Sequence, residues 1–264
     1  MSNNQSPQIL GTAPIGKLLV EYSLPAIIAM TVVSLYNVID SIFIGHGVGA
    51  MAIAGLAITF PLMNLIIAFC TLVGVGAATI SSIYMGQKDI QRATFVLHNA
   101  AILLLVNGLL VTIVTLIFLD PILLFFGASH ETLPYARDFM QVILIANPIA
   151  YLFVGLNNLM RATGYPKKAM LSSFLTVAVN VIVAPIFIFV LDWGIRGAAM
   201  ATAIAQLTGL VWVLAHFLNK KSFISFKKGC FKLHRRIIAS ILSIGMSPFL
   251  MNSCACIVVI IINT

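Results

Sequence analysis

The sequence predicts an all-α membrane protein with seven bilayer-crossing helices, and three observations carry that expectation. Hydrophobic residues make up 61% of the 264 positions and charged residues only 8%, whereas about a quarter of an ordinary soluble domain is charged. Apolar runs of about 20 residues recur from end to end, each long enough to cross ~30 Å of hydrocarbon as a helix. Lysine and arginine gather in alternate connections between those runs, the charge pattern of a multi-pass membrane protein.

The opening MSNNQSPQILGTAPIG (1–16) carries no charged residue, and no small-residue cleavage site follows the first apolar run. It reads as a short cytoplasmic tail before a retained first span at 18–44. From Leu24 to Ile44 that span holds one charged side chain, Asp40, within YNVIDSIFIG. Tyr36 and Asn37 precede Asp40 by four and three residues, so the three occupy neighbouring parts of one helical face. Intramembrane carboxylates are costly and characteristically face a cavity on an ion or substrate path. The alternative is that Asp40, about five residues or ~8 Å before Gly45, snorkels to the nearby water.

Spans two to four are expected near 52–84, 94–119 and 136–160, the second and fourth long enough to imply tilt. Span five, 168–191, places Asn180 five residues before Pro185. Proline lacks an N–H and crowds the carbonyl of Val181, so the helix must bend or open there. Membrane sites gather oxygen ligands from such freed backbone; otherwise Asn180 is satisfied by a neighbouring helix. Pro25, Pro61, Pro148 and Pro248 are expected to interrupt four other spans, with Pro25 kinking span one. Span six, 195–218, repeats Gly197, Ala201, Ala205 and Gly209 at every fourth position, a small-residue stripe for close helix packing. Thr202 and Gln206 lie on the adjacent face as cavity candidates.

Residues 219–237 form a basic linker in which seven cationic side chains interleave with Phe223, Phe226 and Phe231. It either lies on an anionic inner leaflet or is an ordinary loop made basic by the positive-inside rule. Span seven, 238–264, restarts the first: an offset of 223 residues brings Pro25 onto Pro248 and Asp40 onto Asn263. Six intervening spans make this a parallel repeat, and the chain ends within an apolar run. A truncated protein is expected, its intact form about 446 residues long on the repeat logic.

With the N-terminus inside, thirteen of the 15 basic residues fall at the inner face and only Arg137 and Arg196 outside. That places the N-terminus in the cytoplasm and the protein in the cell membrane. The net charge of +8 is therefore a topology signal and no sign of a nucleic-acid partner. Cys70, Cys230, Cys254 and Cys256 have neither zinc-finger nor thioredoxin spacing. Without a histidine cluster, phosphate loop or H-E-x-x-H pattern, no enzyme chemistry, cofactor or resident metal is expected.

Four blocks, YNVIDSIFIGHGVGAMAIAGLAITFP (36–61), NNLMRATGYPKKAM (157–170), NVIVAPIFIF (180–189) and GAAMATAIAQ (197–206), occur in an order and spacing that resembles the multidrug and toxic-compound extrusion (MATE) transporters. The resemblance implies twelve helices in two six-helix lobes around a central cavity, with 17–218 as the amino-terminal lobe. It implies an antiporter, monomeric when complete, that exports drugs or other amphipathic, chiefly cationic, small molecules in exchange for protons or sodium. Asp40 matches the amino-lobe carboxylate, Asn180 and Thr202 match polar residues of the same ion-coupling site, and Asn157 matches a polar position on span four. Ala184 stands where the family commonly has an aspartate, which removes a strong sodium ligand and favours the proton.

Two other readings accompany this one. A flippase for lipid-linked sugars shares the two-lobe build, but its pyrophosphate substrate would call for basic side chains within the spans. An inactive fragment is the other. A seven-helix receptor or retinal protein is disfavoured by the cytoplasmic N-terminus and by the lack of lysine in span seven.

Overall fold

The computed structural model describes residues 14–219, 222–226 and 233–263, and every regular element among them is helical. In chain order these are α1 (Ile15–Gly47), α2 (Ala50–Gly86), α3 (Ile90–Ile117), α4 (Leu119–Phe125), α5 (Leu133–Ala162), α6 (Pro166–Pro185), α7 (Gly194–Leu218) and α8 (Arg235–Asn263). Seven are long and apolar enough to cross a membrane, and α4 is the short exception. The expected spans are all present. The structure adds α4, which the sequence reading missed, and starts α8 at Arg235 rather than residue 238. Most of the expected tail, and linker residues 220–221 and 227–232 with Phe231, lie outside the described residues.

Some helix ends show their local chemistry plainly. Asp89 caps α3, its carboxylate accepting the Arg92 backbone N–H at 2.9 Å, which satisfies one otherwise orphaned donor. Between α5 and α6 the turn Thr163–Gly164–Tyr165–Pro166 uses a glycine at φ 96° to leave one helix. The proline at the first position of the next has no N–H to waste.

The prolines behave less disruptively than expected. Pro25, Pro61, Pro148 and Pro248 all lie inside continuous helices. Only at Pro185 does the winding change, to a π-helical segment over Ile186–Val190 closed by the Leu191 N–H on the Ile186 carbonyl at 3.0 Å. A carbonyl deprived of its proline partner is accommodated there by widening the turn. At Pro148 a neighbouring helix supports the backbone, the Leu144 carbonyl accepting from the Thr112 hydroxyl at 2.9 Å.

The core lies where α2, α3, α5 and α7 meet, around Leu97, Leu104, Met140, Leu156 and Phe217, all fully buried. Between apolar helices in lipid there is little hydrophobic drive, so close packing and cross-helix hydrogen bonds carry association. Both are present. The Tyr151 hydroxyl donates to the Ile66 carbonyl at 2.5 Å, the Thr112 hydroxyl to the Leu144 carbonyl at 2.9 Å, and the Asn107 amide to the Phe69 carbonyl at 2.8 Å. The small-residue stripe on α7 is buried along its length; Gly197 meets the Phe187 backbone and Gly209 meets Thr176 and Phe153.

The bundle has a basic end, holding the α2–α3, α5–α6 and α7–α8 connections, and an opposite end. Arg137 and Arg196, at the opposite end, are each paired with an aspartate, Asp120 and Asp138 respectively. At the basic end the linker is part of the fold. Ile224 and Ser225 are buried, and the Phe226 N–H donates to the Phe217 carbonyl at 3.0 Å. The Phe226 ring meets His98 and the Phe223 ring meets Tyr165. This segment is tucked beneath the helices, so of the two expectations the described part fits a packed loop rather than a leaflet-bound one. α8 then runs antiparallel along α2, since its residues 241, 249 and 256 meet α2 at 76, 69 and 61 in turn.

Candidate functional site

α1, α5, α6 and α7 line a cavity of about 250 Å³. Toward the opposite end its lining holds three side chains that satisfy one another. The Asn180 amide donates to the Tyr36 hydroxyl at 3.2 Å and to the Thr202 hydroxyl at 3.1 Å, and the two hydroxyls lie 3.1 Å apart. Thr202 also donates to the Ala198 carbonyl at 3.2 Å. With its only proton committed there, Thr202 must accept from Tyr36, so the cluster is a one-way relay with no donor to spare.

Asp40 stands one turn beyond Tyr36 on α1 and is 9% exposed. Its Oδ1 is buried with no hydrogen-bond partner among the described residues. A buried polar oxygen without a partner carries its full desolvation cost, and a carboxylate in a membrane more so. Snorkelling does not describe it. The expected grouping is therefore only half realised. Asn180 and Thr202 are joined directly and through Tyr36, and no hydrogen bond ties Asp40 to either among the described residues. Ala184 is fully buried and brings no polar atom.

Of the cavity candidates, Tyr36, Asn157 and Gln206 line the space. The Asn157 amide is partly spent on structure, donating to the Ala169 carbonyl at 3.2 Å and to the Ser172 hydroxyl. Asn37 is a correction: it is exposed on α1 and does not line the cavity. Three residues from Asp40 is a rotation of about 300° along a helix, far enough to take the side chain off the buried stripe. Pro25 is likewise remote from the lining, whereas Pro185 sits five residues beyond Asn180.

Sequence reasoning missed Asn158, Arg161, Ser173 and Thr176. Their spacing was available: Ser173, Thr176 and Asn180 are three and four apart on α6, and Asn157 and Arg161 four apart on α5. Arg161 matters most, because basic side chains were expected to stay out of the cavity. It is in the last turn of α5, at a span end as read, yet it lines the basic end of the space as its one charged residue.

The MatE family model matches residues 25–186, which hold most of α1, all of α2 to α6 and most of this lining. The chain belongs to the MatE family. It is 30% identical over 240 residues to the multidrug export protein MepA of Staphylococcus aureus, covering 91% of this chain and 53% of that protein. It is 32% identical to MepA of Staphylococcus haemolyticus over 89% of this chain and 52% of the relative. A solved structure of a multidrug resistance MATE family transporter in an outward-facing conformation superposes with a TM-score of 0.87 at 29% identity, covering 96% of this chain and 56% of that one. The chain thus spans about half the length of the relatives it matches. MatE proteins are membrane transporters of multidrug efflux, and this chain shares their fold across one lobe.

Proposed function

We propose that the chain is the amino-terminal lobe, with the first helix of a second, of an antiporter that exports amphipathic small molecules in exchange for protons. Asp40 carries the coupling proton. The observation behind this is the unpartnered Asp40 oxygen beside a closed Tyr36–Asn180–Thr202 relay. Low polarity disfavours a charged carboxylate, so such a group readily binds a proton from one face and yields it to a wetter one. A sodium ion would need several oxygens at one point, and here the relay must first be broken to release them. Ala184 offers none. The cavity between α1 and α7 is the space for the substrate, and an ionised Asp40 beside it is a countercharge for a cationic group. Protonation removes that charge and favours release.

Direction requires the basic end to be cytoplasmic, as the charge asymmetry argues. In a background lacking native cysteines, Glu131→Cys at the opposite end should react with an impermeant maleimide from outside intact cells. Leu233→Cys at the basic end should react only after the membrane is opened; both positions are exposed. The reverse pattern would overturn the orientation and with it the export sense. The coupling ion is tested in inside-out vesicles holding the complete transporter. Uptake of a fluorescent amphiphile should follow an imposed pH gradient at zero sodium, and uptake that follows sodium at fixed pH would sink the proton assignment.

A further inference from the structure

Resting on the reading of the cavity as a substrate site, we infer that Arg161 makes its basic end a receptor for a carboxylate carried by the substrate. Arg161 lines the cavity from the last turn of α5. Among the described residues it makes no ion pair and no hydrogen bond, whereas Arg92, Arg137 and Arg196 all have aspartate partners. A basic residue near a helix C-terminus is favourable for the helix dipole, which accounts for its charge but not for its facing a cavity unpaired. The planar fork of donors matches a carboxylate in two parallel hydrogen bonds.

The surroundings define the ligand further. Asn158 on α5 adds a neutral hydrogen-bonding group to the lining, while Phe153, Val154 and Val177 supply an apolar wall; the Ser173 hydroxyl beside them donates to the Ala169 carbonyl at 3.2 Å. A single cation balances a single negative charge, so the fit is to an amphipathic monocarboxylate. A pyrophosphate would ask for more positive charge than this lining holds.

The test uses a matched pair, rhodamine B and its ethyl ester, which share one cationic ring system and differ in whether the carboxylate is free. Binding to the purified protein is followed by fluorescence anisotropy against protein-free micelles. The wild type should prefer the acid about tenfold, the scale of one charge-assisted bidentate contact at a half-buried site. Arg161→Gln should lose that preference by weakening the acid and leaving the ester within about twofold. Arg161→Lys keeps the charge without the fork and should retain part of it. An unchanged acid-to-ester ratio in Arg161→Gln, or equal weakening of both dyes, overturns the assignment. If Arg161→Gln does not fold, the wild-type ratio decides, and a value near one is fatal. A wild type that binds neither dye removes the substrate-site reading itself, whereas one that binds both alike removes only the role of Arg161.

Discussion

Replacing Asp40 with asparagine should abolish export against a gradient while leaving the lobe as stable as the wild type or more so. The two halves of that result have one cause. Asparagine matches aspartate in size but never ionises, so no proton is carried and no countercharge is switched. The same change removes a carboxylate that the fold does not support: Oδ1 is buried without a partner among the described residues, and a lone aspartate within a span costs about 2.5–3.5 kcal/mol. Thermal unfolding in detergent should therefore show a gain of about 1–3 kcal/mol or no loss. A structural aspartate behaves the opposite way, since removing one partner of a satisfied pair destabilises. Loss of stability in Asp40→Asn, or normal export by it, would dismiss Asp40 as the coupling group. Activity held at the expense of stability is a common signature of functional sites.

The fold was legible in the sequence wherever the signal was chemical and local. Span count follows from hydropathy, because a helix in lipid must be apolar over its length. The stripe from Gly197 to Gly209 declared its packing role through a four-residue spacing. What failed was rotational. Asn37 was grouped with Asp40 by spacing, yet α1 buries only a narrow stripe, and a face cannot be told from its neighbour without knowing where α6 and α7 sit. Arg161 was read by its depth, correctly at a span end, but depth does not say whether a long side chain points to water, lipid or a cavity. The prolines were over-read for a related reason: a missing N–H is a local fact, whereas its consequence depends on neighbours that support the backbone. Tyr36 was named as a candidate beside Asp40. That its hydroxyl would join Asn180 to Thr202, 144 and 166 residues away, was not there to be read.

Substituting leucine for Gly245 should detach α8 from the first lobe, the largest structural effect of any single change at that contact. A Cβ at Gly245 would stand 1.7 Å from the Leu72 carbonyl oxygen, and one at Gly76 would stand 2.1 Å from the Ile241 carbonyl oxygen. The obstacles are backbone atoms of helices in the bundle, so no rotamer change relieves them and the helices must part. Overpacking of this kind typically costs 1–3 kcal/mol or more. Parting also forfeits the neighbouring contacts: the Asn252 amide on the Thr71 hydroxyl at 3.4 Å, the Phe69–Phe249 rings at 5.0 Å, and the Cys256 thiol on the Pro61 carbonyl at 3.2 Å. Few other forces hold two apolar helices together in lipid. Cysteines placed at Thr71 and Asn252, with native cysteines removed, should join through a short bifunctional thiol reagent in the parent protein. They should fail to join when Gly245→Leu is added, and Gly76→Leu should do the same from the other side of the crossing. Gly16 serves as the control, because no described atom lies within 4 Å of its Cβ position; Gly16→Ala should keep the cross-link. A full-strength cross-link in Gly245→Leu would mean that α8 does not rest on glycine contacts with α2, and the antiparallel docking described above would have to be abandoned.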